Sequence, residues 1–208
     1  MNGQRKRILL IGASGIIGKA VDAALAAKHD IIRAGLRSGD VRFDLADPEA
    51  MMAALAPLGP LDAIISTAGQ AHFVGLQDVV VAPLAASKYG LGLMDKLMGQ
   101  VNLALAARDC LRDGGSITLT SGTTSDEPII GGSSLSMVNG ALEKWAMAAA
   151  TEMPRGIRVN VVSPSLAEEV SDAAAQAFPG FVKVPAATMA LAYVRCVESL
   201  ITGQTLKV

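Results

Sequence analysis

Aromatic residues and cysteines are scarce in this chain of 208 residues. One Trp, two Tyr and four Phe make up 3% of the composition, and there are two cysteines, Cys110 and Cys196. So few cysteines exclude a disulfide framework, and we expect a reducing, cytoplasmic setting. The hydrophobic half of the composition (51%) is therefore mostly aliphatic. Such a composition is typical of helices packed against a sheet.

The chain also lacks an excess of positive or negative charge. The 18 Lys and Arg residues nearly balance the 19 Asp and Glu residues, for a formal net charge of −1. With this balance, the sequence has no excess of basic charge that would favour binding to nucleic acid or to an anionic membrane surface. No apolar run reaches the ~20 residues of a membrane span. We therefore expect no nucleic acid and no membrane among the partners, and we predict no metal site.

Strand-like and helix-like segments alternate along the whole chain. A continuous apolar run at residues 8–11 is typical of a strand buried on both faces of a parallel sheet. Further strands are predicted at residues 31–35, 41–43, 61–68, 116–121, 157–162 and 205–208. Helices are predicted at residues 16–27, 48–57, 91–111, 134–153, 167–177 and 186–201, with Asp47 as the N-cap of the second. The alternation predicts an α/β fold, a single doubly wound parallel sheet with helices on both faces, in one domain over residues 1–208.

A glycine-rich turn separates the first predicted strand from the first helix. Gly12 would let the chain turn sharply, Gly15 would let backbone N–H groups approach a pyrophosphate, and Gly18 would let the helix pack close to the sheet. The helix N-terminus adds partial positive charge for the phosphates. The pattern predicts a dinucleotide-binding site of the Rossmann type. Its residues in this turn are Gly12, Ser14, Gly15, Ile16, Ile17 and Gly18.

Arg37 and Ser38 follow the second strand, where a protein that prefers NAD usually has an acidic residue. An arginine there accommodates the 2′-phosphate instead, so NADP(H) is the predicted cofactor. The alternative is an exposed arginine in a turn. Asp44, with Leu45 after it, comes next to the third strand, where its carboxylate would accept from the adenine amino group or serve only as a turn residue.

Small residues end the fourth strand, and they complete the predicted cofactor site. Ala68 and Gly69 would let the adenosine half of the dinucleotide lie against the backbone. With these segments in place, the sequence resembles the short-chain dehydrogenase/reductase family from about Arg7 to Val208. The segments that carry the resemblance are residues 12–18, 44–45, 66–69, 115–121, 158–164 and 202–204. The resemblance implies a nicotinamide cofactor flanked by Pro164.

The catalytic pair of that family is missing from this sequence. The family uses a tyrosine to donate a proton to the substrate carbonyl, and a lysine four residues later to lower the tyrosine pKa. Neither Tyr89 nor Tyr193 has a lysine four residues on. Aligning Asn139 with the family lysine puts Leu135 at the tyrosine position. Leucine cannot donate a proton, and asparagine brings no charge.

Other residues are candidates for the missing chemistry. The family serine falls on Ser121 by the strand motif or on Gly122 by spacing, with the hydroxyls of Thr123 and Thr124 nearby. The family asparagine of the preceding helix falls on Lys96, and a partly desolvated lysine can act as a proton donor. Ser121 and Lys96 are the predicted catalytic residues, although Lys96 on an exposed helix face is the alternative.

Two further side chains remain open as proton carriers. His72 lies three residues past Gly69, near the expected mouth of the pocket, although a plain loop or packing role is the stronger interpretation. Tyr89 precedes Lys96 by seven residues, so the two share a helix face if the helix begins early.

These residues predict an NADP(H)-dependent oxidoreductase for a small carbonyl or alcohol substrate, with a non-standard active site. The alternative is a catalytically silent dinucleotide-binding sensor or partner subunit, because the cofactor turn is intact while the catalytic pair is not. Isomerisation or elimination with a resident cofactor is a third possibility. The resemblance implies that residues 165–185 form much of the substrate wall. It also implies a homodimer or homotetramer through the two long helices.

Overall fold

The computed structural model describes residues 4–208 of the chain. Within these residues, seven parallel strands form one sheet in the order β3-β2-β1-β4-β5-β6-β7. The strands are β1 Arg7–Ile11, β2 Asp30–Gly35, β3 Val41–Arg42, β4 Leu61–Ser66, β5 Leu111–Thr120, β6 Arg158–Ser163 and β7 Thr205–Lys207. The predicted parallel sheet is thereby confirmed.

Helices cover both faces of this sheet, as the alternation predicts. The helices are α1 Ile16–Ala26, α2 Pro48–Leu55, α3 Gln100–Cys110, α4 Ser133–Ala149, α5 Asp172–Ala175 and α6 Ala186–Glu198. A π-helical segment, Gly92–Gly99, leads directly into α3. Single 3₁₀ turns lie at Ala56–Leu58, Leu76–Asp78, Leu84–Ala86, Thr123–Ser125 and Pro154–Gly156. No helix within residues 4–208 combines the length and the apolar character needed to cross a membrane.

Two hydrophobic clusters, one on each face, hold the layers together. Leu9 and Ile11 of β1 pack with α2, α3 and α4, whereas Ile8 and Leu10 pack with α1 and α6. All four side chains are buried, which explains why this strand is a continuous apolar run rather than an alternating one.

The strand order reverses beside β1, and this reversal positions the site. Ile11 at the end of β1 is in register with Ala34 of β2 on one side and Ser66 of β4 on the other. The loops that follow these three strands therefore meet at one edge. In doubly wound sheets the ligand binds at such a switch point.

Some predicted boundaries differ from the structure. The predicted helix at residues 167–177 is reduced to the short α5, because the backbone before it pairs with residues further on. Ala167 forms a parallel bridge with Val184, and the Glu168 amide donates to the Val184 carbonyl. The carboxylate of Glu169 accepts from the Ala186 amide at the start of α6. Strand β4 ends at Ser66, two residues early, and β5 begins at Leu111 with an irregular stretch before Ser116.

Candidate active site and dinucleotide-binding site

The glycine-rich turn is packed too tightly for side chains at two of its three glycines. Gly12 has a φ of 81°, and a Cβ there would lie 2.8 Å from Thr67 Oγ1. A Cβ on Gly18 would lie 2.0 Å from the Gly12 carbonyl oxygen. At Gly15 the nearest atom is 3.4 Å away, so this glycine leaves its outer surface open to a ligand.

The start of α1 is prepared for an anion. Ser14, Gly15 and Ile16 are exposed, while Ile17 is half-buried. Gly15 is the N-cap of α1, and no side chain of the described residues caps it. The first N–H groups of the helix are thus available to phosphate oxygens, together with the positive end of the helix dipole. The residues present therefore fit a pyrophosphate.

The end of β4 is tied to the glycine turn through Thr67. The Thr67 hydroxyl lies 3.0 Å from the Ile11 carbonyl oxygen, and the Thr67 amide donates to the same oxygen at 2.9 Å. Ala68 is half-buried and Gly69 is exposed just beyond this anchor. The two small residues therefore line the same edge as the turn.

The residues predicted to recognise the adenosine end lie where the sequence predicts them. Arg37 and Ser38 are exposed in the loop from β2 to β3. Asp44 is exposed directly after β3 and accepts from the Ala46 amide at 2.9 Å. Leu45 is buried, and a Cβ on Gly99 would lie 2.7 Å from its Cγ. Their roles toward a cofactor stay predictions.

A pocket of about 610 Å³ opens between the glycine turn and the segment that contains α5. Phe73 and Phe178 line it and contact each other edge to face, with ring centroids 6.1 Å apart, and Phe178 contacts Phe181 in the same way at 5.5 Å. None of the described residues that line the pocket is charged. They include Ile16, Ile17, Thr67, Ser165, Leu166 and Val170.

Lys96 is partly buried beside the end of β4. Its Nζ donates to the Ser121 carbonyl oxygen at 3.0 Å. A Cβ on Gly69 would lie 2.8 Å from Lys96 Cγ, so the glycine lets the π-helical segment approach this closely. Burial lowers the pKa of the Lys96 ammonium to about 8, and the neighbouring Asp95 carboxylate partly opposes this effect. The predicted alternative, an exposed lysine, does not describe this side chain.

Asp95 ties the same segment to the loop after β4. Its Oδ1 accepts from the Gln70 amide at 2.6 Å. Burial raises the pKa of the Asp95 carboxyl, the amide lowers it, and the nearby Asp44 carboxylate adds to the rise. The segment that carries Lys96 is therefore attached to the switch point on both sides.

Ser121 is buried, and its hydroxyl is engaged with a carboxylate that the sequence analysis missed. Ser121 is 2% exposed, and its Oγ donates to Glu143 Oε1 at 2.7 Å. The structure therefore brings Lys96 and Ser121 together through the serine carbonyl. A catalytic role for the serine hydroxyl stays a prediction. One signal for Glu143 was available, because it lies one helical turn after Asn139 on a helix face that also carries apolar residues.

The region around Asn139, which the sequence analysis aligns with the family's lysine, is closed by internal hydrogen bonds. Asn139 is buried, and its Nδ2 lies 3.2 Å from the Gly122 carbonyl oxygen and 2.9 Å from Thr124 Oγ1. Within the described part of the chain its Oδ1 has no partner. A Cβ on Gly122 would lie 3.0 Å from Asn139 Nδ2. Position 122 therefore points at Asn139, whereas the Ser121 hydroxyl points at Glu143.

The remaining candidates lie apart from Lys96 in the hydrogen-bond network. His72 is exposed, and Tyr89 Oη lies 3.2 Å from Ser133 Oγ at the start of α4. Tyr193 is buried on the other face of the sheet, where its Oη lies 2.8 Å from Thr120 Oγ1. Burial raises the Tyr193 pKa. Residues 4–208 contain no group of three His, Cys, Asp or Glu side chains that could hold a metal ion.

Comparison with known proteins agrees with this architecture. The family model described as Enoyl-(Acyl carrier protein) reductase matches residues 12–206. With this match and the sheet described above, the chain belongs to the short-chain dehydrogenase/reductase family. No curated protein matches the chain.

Solved structures are similar over nearly the whole chain. The protein lin1944 from Listeria innocua is 42% identical, with a TM-score of 0.93, over 98% of this chain and 99% of that one. A small-chain dehydrogenase in complex with NADPH is 25% identical, with a TM-score of 0.83, over 99% and 97%. A short chain dehydrogenase from Burkholderia cenocepacia J2315 in complex with NADP is 23% identical, with a TM-score of 0.83, over 100% and 98%, and shares the fold.

Proposed function

We propose that this protein is an NADP(H)-dependent oxidoreductase that interconverts a small carbonyl compound and its alcohol, with Lys96 in place of the family's tyrosine as proton donor. The proposal is supported by the uncapped start of α1, by Arg37 at the end of β2, and by the NADPH complex of the 25% identical relative. The observation that carries it is the desolvated ammonium of Lys96 at the switch point.

The cofactor would lie along the edge where the strand ends meet. The glycine turn would hold the pyrophosphate, Arg37 and Ser38 the 2′-phosphate, and Asp44 the adenine amino group. Ile16 and Ile17 would face the nicotinamide end within the apolar pocket, near Pro164. When bound, NADPH supplies the hydride, which is the difficult part of the reaction.

Lys96 has the properties that a general acid needs near neutral pH. An ammonium with a pKa of about 8 is mostly protonated at pH 7 and gives up its proton far more readily than an exposed lysine does. During reduction the proton would pass from Lys96 Nζ to the oxygen of the substrate, and during oxidation it would return. The Ser121 carbonyl would hold the ammonium in place between turnovers.

The substrate is expected to be neutral and mostly apolar. None of the described residues that line the pocket is charged, and Lys96, which is not among them, would meet only the carbonyl oxygen. A further carboxylate or phosphate on the substrate would therefore be buried without a counterion. Aldehydes, ketones and quinones without acidic groups are therefore favoured over keto acids. Phe73 and Phe178, which contact each other edge to face, would form one aromatic wall against such a substrate.

Replacing Lys96 by methionine tests the function. We expect Lys96→Met to lower kcat for NADPH-dependent carbonyl reduction by at least ~100-fold, as is usual when an acid catalyst is lost, with the NADPH Kd changed less than about threefold. In the native protein, kcat should fall as the pH rises through about 8, because only the protonated amine is an acid. Steady-state kinetics with a set of neutral aldehydes, ketones and quinones measure both effects. The control is Lys88→Met, which replaces an exposed lysine.

Native turnover in Lys96→Met would reject Lys96 as the donor. NADPH binding by the native protein without turnover on any carbonyl would instead favour the silent dinucleotide-binding protein. One observation supports that second candidate: the amide of Asn139, which the sequence aligns with the family's lysine, is already used by Gly122 and Thr124.

A further inference from the structure

The loop after β5, residues 121–125, is fastened to α4 by two side chains one helical turn apart. We call these residues the β5 loop. Asn139 Nδ2 lies within hydrogen-bond distance of Gly122 and Thr124, as described above. Glu143 Oε1 accepts from Ser121 Oγ at 2.7 Å and from Ser125 Oγ at 2.9 Å. On the other side, the backbone of the loop is tied to the end of β6 and to Pro164.

Glu143 is an unusual residue for this position. It is 9% exposed and forms no ion pair with any residue in 4–208. Its neighbour Leu142 and the residues one turn away, Val138 and Ala146, are buried and apolar. A buried carboxylate is costly unless hydrogen bonds satisfy it. Here the Ser121 hydroxyl donates to it, while Ser125 Oγ lies 2.9 Å both from Glu143 Oε1 and from Asp126 Oδ2. The carboxylate is therefore bound to the β5 loop rather than to a counterion.

Ser121 connects this carboxylate to the proposed proton donor. Its hydroxyl donates to Glu143, and its carbonyl accepts from Lys96 Nζ at 3.0 Å. Its amide donates to the Val162 carbonyl at 2.9 Å. Ser121 is thus held at three points: its amide by β6, its hydroxyl by Glu143 and its carbonyl by the Lys96 ammonium.

We propose that Glu143 is a positioning residue: it holds Ser121 so that the serine carbonyl keeps the Lys96 ammonium at the reacting site. The catalytic consequence rests on the function proposed above, whereas the effect on Lys96 itself does not. The charged group that acts directly on Lys96 is Asp95 on its own segment, and Glu143 on α4 lies behind Ser121, whose hydroxyl it binds. Removing the Glu143 acceptor releases the Ser121 side chain and weakens the hydrogen bond to the charged form of the lysine.

The titration of Lys96 tests this inference without requiring turnover. The ¹³Cε resonance of labelled Lys96 is assigned by its absence from the spectrum of Lys96→Met and followed with pH. We expect a midpoint near 8 in the native protein. Glu143→Leu should lower it by about half a unit or more, because a lost acceptor disfavours the ammonium. Glu143→Gln retains the acceptor oxygen and should stay within about 0.2 unit of the native value.

A second variant and a control distinguish the loss of this hydrogen bond from a general disturbance of the fold. Ser121→Ala breaks the same link from the other end and should lower the midpoint as Glu143→Leu does, so it carries the test if Glu143→Leu does not fold. Glu152→Leu, an exposed glutamate beyond α4, should leave the midpoint unchanged. In kinetics, Glu143→Leu should lower kcat at least ~10-fold, since the acid catalyst is misplaced, with an unchanged Kd for NADPH.

The outcomes separate the two proposals. An unchanged Lys96 midpoint in both Glu143→Leu and Ser121→Ala overturns the positioning role, whatever the activity. A lowered midpoint in a protein that turns over no carbonyl supports the positioning role and rejects the oxidoreductase. A lowered midpoint accompanied by a native kcat also overturns the inference, because the ammonium would then act independently of its position.

Discussion

At the scale of single residues, the family resemblance predicts that the positive charge of the site has moved from one helix to another. Asn139 on α4 stands where the family's lysine is expected, and its amide is used to hold the β5 loop. Lys96, on the segment before α3, stands where the family has an asparagine. Both side chains reach the same loop, one at Gly122 and the other at Ser121. Lys96 Nζ, bound to the Ser121 carbonyl, is a cation just after the end of β5.

Arg37 is the residue expected to select the cofactor. We predict that Arg37→Ala weakens NADP binding by about 10- to 100-fold, the loss expected for one or two charge-assisted hydrogen bonds, and leaves NAD binding unchanged. Titration calorimetry with both dinucleotides measures the change. The exposed Arg195→Ala serves as control. An NADP preference that survives the loss of Arg37 would show that another group reads the 2′-phosphate.

At the scale of elements, the site is built from turns that need glycine and from a helix segment of irregular pitch. Gly12 and Gly18 let α1 start against the end of β1, and Gly69 lets the segment Gly92–Gly99 approach β4. This segment is π-helical, a geometry that often occurs at functional sites. The close approach at Gly69 is what places Lys96 under the loop after β4.

Gly18→Ala tests the packing of the turn, with Gly140→Ala as its matched control. The added methyl at position 18 would overlap the Gly12 carbonyl, so the turn must shift. We expect a loss of ~1–3 kcal/mol in the free energy of unfolding and weaker NADPH binding. At Gly140 in α4 no described atom lies within 4 Å of the new methyl, and alanine should stabilise the helix by up to ~1 kcal/mol. Denaturant titrations measure both, and equal effects at the two positions would contradict the packing argument.

At the scale of the whole molecule, the sheet is covered on both faces, yet one outer helical surface remains apolar. Leu105 of α3 and Met137 and Met147 of α4 are exposed, and so is Met98 in the segment before α3. These are the two long helices through which the family resemblance implies assembly. Several exposed apolar side chains on neighbouring helices are compatible with an interface.

We therefore expect a homodimer or homotetramer that uses this surface. The double variant Leu105→Glu/Met147→Glu should reduce the particle mass measured by light scattering after gel filtration, because charges would be buried in the interface. Met52→Glu on α2, also exposed, should leave the mass unchanged. A monomeric native protein would refute the expectation.

Features that depend on neighbouring residues were predictable from the amino-acid sequence. The apolar run of β1, the glycine turn and the alternation of elements are local patterns, and all are found in the structure. Asp47 caps α2 as predicted, accepting from the Glu49 and Ala50 amides at 3.1 and 3.0 Å. Such signals are readable because strand periodicity, capping and turn geometry are set within a few residues.

Features that depend on pairing across the chain were decided only by the tertiary structure. The sequence identified Lys96 and Ser121 separately, but not that the lysine binds the serine carbonyl 25 residues away, or that Glu143 takes the hydroxyl. The segment before α5 is rich in helix formers, yet its backbone pairs with Val184. In the segment before α5, this pairing with residues distant in sequence outweighs the local helix preference, because an unsatisfied backbone group in the interior costs more free energy than a lost turn of helix.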